Sequence, residues 1–281
     1  DGSIGITGEI SSANSLVGAN LGDSLGLGIG FYKLAHSNYV VGGAHQSYGS
    51  MTWGDGRIGI RGEVSSANSL VGANLGDHVG SGGLYELANG NYVVASSTWN
   101  HLRGAVTWAD GTIGITGVVS PANSLVGTYS ENHFSVYPYG DQVGATVVPL
   151  ANGNYVVESL YWNQLRGAAT WGDGRIGITG EVSSANSLVG SNPGDRVGTS
   201  GLYELANGNY VVESAVWNRG RGAATWGDGS IGITGEVSSA NSLVGTNPGD
   251  FVGDSGLYKL ANGNYVVGSR NWSGGLGAAT W

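Results

Sequence analysis

The sequence predicts an all-β protein: a five-bladed β-propeller of four-stranded antiparallel blades, forming one domain over residues 1–281. Three observations carry this. A phrase ending in Thr-Trp recurs at Trp53, Trp108, Trp171, Trp226 and Trp281, about 55 residues apart except for one longer interval before Trp171. Each repeat divides into short runs rich in β-branched and aromatic residues, punctuated by Asn-Gly and Asp-Gly turns. The phrase that follows the first four of these tryptophans is missing after Trp281 and stands instead at the start, as Asp1-Gly2-Ser3-Ile4-Gly5-Ile6-Thr7-Gly8. An offset of this kind suits a ring, in which the N-terminal strand completes the last blade and removes a sheet edge. A β-helix needs no circular offset, and a trefoil needs threefold repetition.

The fourth repeat shows the elements in order. Gly201 to Leu205 forms strand a, and Asn207-Gly208 is a strong hairpin signal. Asn209 to Glu213 returns as strand b, a looser segment runs from Ser214 to Gly222, and Ala223 to Trp226 forms strand c. After the turn at Asp228-Gly229, Ile231 to Gly235 is expected to be strand d. No apolar run has a helical period. In such a blade the short a–b and c–d turns share one face of the disc. The b–c loops and the long d–a crossings share the other, and the largest insertion, within 128–140, falls in a crossing. Binding groups are expected on that loop-rich face.

Composition narrows function. The net charge is −9 with only 11 Lys plus Arg, which argues against nucleic acid and anionic membranes as partners. No run is long and apolar enough to span a membrane, and no secretory signal is present. A chain that begins at Asp1 reads as a processed or excised piece. With no cysteine there are no disulfides, thiolate zinc sites or Cys nucleophiles. The 54 glycines recur at fixed offsets in each repeat, as turns and bulges require.

The nine tryptophans form two classes. The Thr-Trp class is expected to fill space between blades. The second class, Trp99, Trp162, Trp217 and Trp272, falls in the b–c loop. Three of these carry the pattern Trp-Asn-x-x-Arg: Trp99, Asn100, Arg103; Trp162, Asn163, Arg166; and Trp217, Asn218, Arg221. An aromatic plate beside an amide and a forked donor suits a sugar, with ring stacking on C–H faces and bidentate bonds to hydroxyls. The bland alternative is Arg packed along its own Trp, with Asn making the turn. The fifth repeat weakens the pattern with Ser273 and Leu276, and the first lacks the Trp and has His45, Gln46 and Tyr48.

Asp23, Asp77, Asp141, Asp195 and Asp250 end the crossings, while Asn14, Asn68, Asn123, Asn186 and Asn241 begin them. Both are expected chiefly to cap turns. One or two carboxylates per blade make calcium a minor possibility, and no metal or cofactor is assigned. Catalysis is not expected. Glu9, Glu63, Glu181 and Glu236 recur by repeat, as do Glu158 and Glu213, whereas a glycosidase needs a few non-equivalent carboxylates in one asymmetric site. The histidines (His36, His45, His78, His101, His133) occupy non-equivalent positions.

The phrases Asn-Gly-Asn-Tyr-Val-Val, Gly-Ala-x-Thr-Trp-Gly and Ala-Asn-Ser-Leu-Val-Gly are best kept in residues 89–127, 152–190 and 207–245. They resemble the Gly-rich repeats of large secreted bacterial proteins of the haemagglutinin or adhesin type. The resemblance covers essentially the whole chain and implies a secreted or cell-surface setting. It transfers no catalytic or binding residues. Five-bladed lectin propellers of the tachylectin type are similar in architecture only. The expected function is multivalent, lectin-like carbohydrate binding on the loop-rich face, with glycans as partners. The alternative is a non-binding structural, spacer or adhesion module of a larger surface protein, in contact with its other segments.

Overall fold

The computed structural model describes residues 5–26, 30–44, 47–130 and 139–281. Most of the insertion and both loop residues His45 and Gln46 fall outside these ranges. The chain is mostly β, built of repeated sheets, and each unit starts with an antiparallel a–b–c meander. In unit 1 the three strands are Phe31–Lys33, Tyr39–Gly43 and Ser50–Gly54. In unit 2 they are Gly83–Glu86, Tyr92–Ser96 and Ala105–Ala109. Unit 3 has Thr146–Pro149, Tyr155–Ser159 and Ala168–Gly172. Unit 4 has Gly201–Glu204, Tyr210–Glu213 and Ala223–Gly227, and unit 5 has Leu257–Lys259, Tyr265–Ser269 and Ala278–Thr280.

The fourth strand is not the one the sequence predicts. Strand c of units 1 to 4 pairs with the Leu-Val segment of the crossing: Leu70–Val71, Ser124–Val126, Leu188–Val189 and Leu243–Val244. The Ile-Gly-Ile segment instead begins with a tight turn, in which the Gly232 amide donates to the Asp228 carbonyl at 2.7 Å. Gly232 has φ +76°, a left-handed value that breaks an extended run and leaves Ile231 exposed. The residues after the turn cross to the preceding unit. Gly117–Val118, Gly180–Glu181 and Gly235–Glu236 each add in parallel to the Leu-Val strand of the unit before. Each unit thus lends a strand to its predecessor.

The core follows the same logic. One cluster joins Leu87, Val93 and Val106 of unit 2 to Val147, Tyr155 and Trp162 of unit 3, and another joins Leu150 and Val156 to Tyr210 and Trp217 of unit 4. Apolar burial of this kind lies between units, so a unit gains its core by having a neighbour. Across each c to Leu-Val pair the two hydroxyls meet at 2.6–2.7 Å, as in Thr107 with Ser124 and Thr170 with Ser187, so the buried polar groups satisfy each other.

The predicted ring closure is not formed. Among the described residues, Ala278–Thr280 has strand b on one side and no strand on the other, and the sheet of unit 5 ends there. Among the described residues, Leu16–Val17 pairs with Gly62–Glu63 and with no strand c.

Candidate functional site

The b–c loop winds into one left-handed turn. Asn100, His101 and Leu102 have φ of 49°, 58° and 64°, and Asn163, Gln164 and Leu165 repeat this at 47°, 61° and 63°. L-residues resist this conformation, but Asn tolerates it better than most. The turn is held from the crossing of its own unit. Asp77 Oδ1 accepts the Asn100 amide at 2.8 Å, while its Oδ2 accepts the Ala73 and Asn74 amides at 2.8 Å. Asp141, Asp195 and Asp250 make the equivalent bonds to the amides of Asn163, Asn218 and Ser273. These aspartates are buried and their acceptors are spent on backbone. Burial pushes the Asp141 carboxyl up. At Asp250 the amides of Asn247 and Ser273 hold it down.

The tryptophans do not stand in solvent as a sugar platform requires. Trp99, Trp162 and Trp217 are 5 %, 7 % and 6 % exposed, each packed in a core cluster. Trp272 of the last unit, at 38 %, is the exception. The left-handed turn is the physical reason: it directs the chain back over the sheet, so the ring that opens it enters the core. The arginines are likewise engaged. Arg103 Nε donates to the Gly127 carbonyl at 2.8 Å, its Nη2 pairs with Glu181 at 3.1 Å, and its guanidinium lies 5.9 Å from the Trp99 ring centroid. Arg166 donates to the Ser191 carbonyl and Arg221 to that of Thr246. Trp-Asn-x-x-Arg therefore comes together as a loop fastener, in the packing arrangement set beside the sugar reading above.

The side-chain amides of Asn100, Asn163 and Asn218 remain half-buried with no hydrogen-bond partner among the described residues. In unit 4 a cleft of about 340 Å³ opens between Asn192, Pro193, Asp195, Val216, Asn218 and Arg219. Its exposed cation is Arg219, not Arg221. Arg219 occupies an x position in the pattern, and His101 and Gln164 stand there in units 2 and 3, so repetition gave no signal for it.

The Asn residues that open the crossings are structural. Asn68 Oδ1 accepts the Ser65 amide at 3.0 Å, and its Nδ2 donates to the Glu63 carbonyl at 2.9 Å. Two carboxyls also escaped notice as sites. Glu158 and Glu213 on strand b are buried at 8 % and 0 % exposure, and burial pushes both up to about 7. Among the described residues no group of three or more His, Cys, Asp or Glu is placed to hold a metal. No helix among them is long and apolar enough to cross a membrane.

The opposite face carries the tightest geometry. Asn89 Nδ2, Asn91 Nδ2 and Trp108 Nε1 of unit 2 converge on one carbonyl, that of Gly174 in the next unit, at 2.7, 2.8 and 2.9 Å. Asn152, Asn154 and Trp171 do the same to Gly229 at 2.8, 2.8 and 2.9 Å. Unit 1 has His36 in place of the first Asn, and there Asn38 and Trp53 hold Gly111 at 2.9 and 3.1 Å. Asn154 Oδ1 also accepts the Gly174 amide of its own unit at 3.0 Å, so one side chain links two consecutive turns.

A family model described as a repeat of unknown function (DUF5650) matches residues 1–27, 33–81, 86–136, 149–199, 204–254 and 259–281. The chain belongs to this repeat family. Each full matched range starts at the last residue of strand a and runs through strands b and c into the crossing, so it contains the clamp donors and the left-handed turn. No curated protein matches the chain. Among solved structures, the crystal structure of puromycin hydrolase aligns at 13% identity with a TM-score of 0.34. That alignment covers 85% of this chain and 32% of the hydrolase chain, so the chain spans about a third of its length.

Proposed function

We propose that the chain is a structural module of a larger bacterial surface protein of the adhesin type, acting outside the cell as a stiff all-β spacer. Its sheets serve as blades of a propeller-like array. The observation that supports this reading is the Gly-carbonyl clamp: side chains that recur in the repeats, Asn89, Asn91 and Trp108 among them, are spent on holding the next unit. The loop pattern is used in the same way, since its Trp rings and Arg heads are engaged within the protein. Repetition then serves the array itself, as in solenoids whose stability is a sum over neighbouring interfaces. Presenting the purified chain to a broad glycan array, with calorimetry on any hit, tests this. The spacer reading expects no saturable binding.

A second reading, multivalent lectin-like binding on the loop-rich face, is favoured by the unit 4 cleft and by the unpartnered amides of Asn100, Asn163 and Asn218. Under that reading weak sites add through avidity. Removing Arg219 together with Asn218 then abolishes a signal that Trp217→Phe leaves in place.

A further inference from the structure

Strand a ends on a residue that varies among units within an otherwise repeated phrase: Lys33, Glu86, Pro149, Glu204 and Lys259 each stand just before Leu-Ala. Where this residue is glutamate, it reaches back to the preceding unit. Glu86 Oε1 accepts the Ala35 amide at 2.6 Å, and Glu204 Oε1 accepts the Ala151 amide at 2.5 Å. A carboxylate thus latches unit 2 to unit 1 and unit 4 to unit 3, through the charge-assisted bond a backbone N–H makes with an ionised oxygen.

The two other junctions between consecutive units have the amide without the carboxylate. Between units 2 and 3 the position is Pro149, and between units 4 and 5 it is Lys259. The equivalent amides, of Ala88 and Ala206, have no acceptor among the described residues. Ala206 and Lys259 line one cleft of about 490 Å³, walled by Leu205, Leu260 and Ala261 with Glu204 at its side. Glu204 is spent on Ala151, and Lys259 is exposed with no ion-pair partner among the described residues. Both units have strands a, b and c described, so the open amide follows from lysine standing where glutamate stands elsewhere.

We propose that the cleft between units 4 and 5 is a carboxylate-binding site. A ligand's carboxylate takes the place on the Ala206 amide that glutamate takes on Ala35 and Ala151, and the Lys259 ammonium neutralises its charge. The chain itself supplies the precedent, because the same amide is bound by a carboxylate at two other junctions. The apolar walls suit a short aliphatic stem, so the ligand is a free organic acid or an acidic side chain of another protein segment. At Ala88 the amide is open but no cation lines the cleft beside it, and Glu86 and Glu204 do, so an anion is disfavoured there. The proposal is independent of the spacer reading and of the loop-rich face.

Amide NMR of the ¹⁵N-labelled chain tests this, with separate titrations of glutarate and of the capped peptide acetyl-Gly-Glu-Gly-amide. The Ala206 amide is expected to shift saturably, while the latched Ala35 and Ala151 amides stay in place. The capped Gly-Gln-Gly peptide is expected to move none of them. Tighter binding of glutarate identifies a free acid as the ligand, and tighter binding of the glutamate peptide identifies an acidic side chain; either supports the site. Lys259→Gln is expected to weaken binding several-fold. Lys259→Glu supplies the carboxylate from within, so the Ala206 resonance is expected near its bound position without any probe, and the response to both probes is lost. Lys259 is exposed, so both variants keep the fold. An Ala206 amide that moves no more than those of Ala35 and Ala151, or a response that Lys259→Glu leaves unchanged, overturns the proposal.

Discussion

Glu213 has no exposed surface and Glu158 little, and the Asp254 carboxylate adds to burial at Glu213, so both favour the protonated form in the folded chain. A folded pKa above the unfolded value means that the unfolded chain releases its proton first. The stabilisation is therefore complete below about pH 4.5 and is lost as pH rises towards 7. Each pKa unit corresponds to about 1.4 kcal/mol. Urea titrations from pH 4.5 to 8 are expected to show falling stability for the natural chain and a flatter profile for Glu158→Gln/Glu213→Gln, which is the more stable at pH 8. At the fastener, Trp162→Ala is expected to cost about 3–5 kcal/mol, the loss of a buried aromatic ring, measurable by denaturant midpoint. Exposed Gln164 holds a left-handed φ of 61°, where unit 5 uses Gly274. Gln164→Gly is therefore expected to add about 0.5–1 kcal/mol. Sequence alone picked out Trp99, Asn100 and Arg103 as a set, because repetition marks them. It did not reveal which way the ring points, because that is set by three consecutive left-handed residues that no composition rule signals.

The turns and the a, b and c strands were legible at the level of elements, since Asn-Gly and Asp-Gly with β-branched runs leave few alternatives. Their distribution over two faces also followed: Asn154 meets Gly174 on one side, and Asp195 meets Asn218 on the other. The outer strand was misread. Ile-Gly-Ile-Thr-Gly alternates like a strand, but its central glycine lies flat against the Trp of the preceding unit. A Cβ added to Gly177 falls 2.5 Å from Trp108 Cβ, and its φ is +76°. The true fourth strand, Leu188–Val189, is two residues long and sits inside a phrase otherwise typical of loops. Gly177→Ala is expected to lower the thermal midpoint by several degrees, through both the contact and the φ. Gly5→Ala, with open space around it, is expected to cost only the φ term.

For the whole molecule, the repeat period and the single all-β architecture were readable, and closure was not. A circular offset in sequence marks which strands could complete one another, and does not by itself bring them together. Between-unit burial explains the pattern of exposure: Val64 and its copies Val119, Val182 and Val237 are buried and Trp108 is half-buried, whereas Ile10 and Trp281 are bare. The central claim is that the recurring tryptophans fasten the array from inside. Hydrogen exchange of the indole N–H groups, followed by NMR on the tryptophan-labelled chain, tests it most directly. The account predicts slow exchange for Trp99, Trp162 and Trp217 and fast exchange for Trp272. Equally fast exchange at all four would contradict it and return these rings to the surface, where a sugar can reach them.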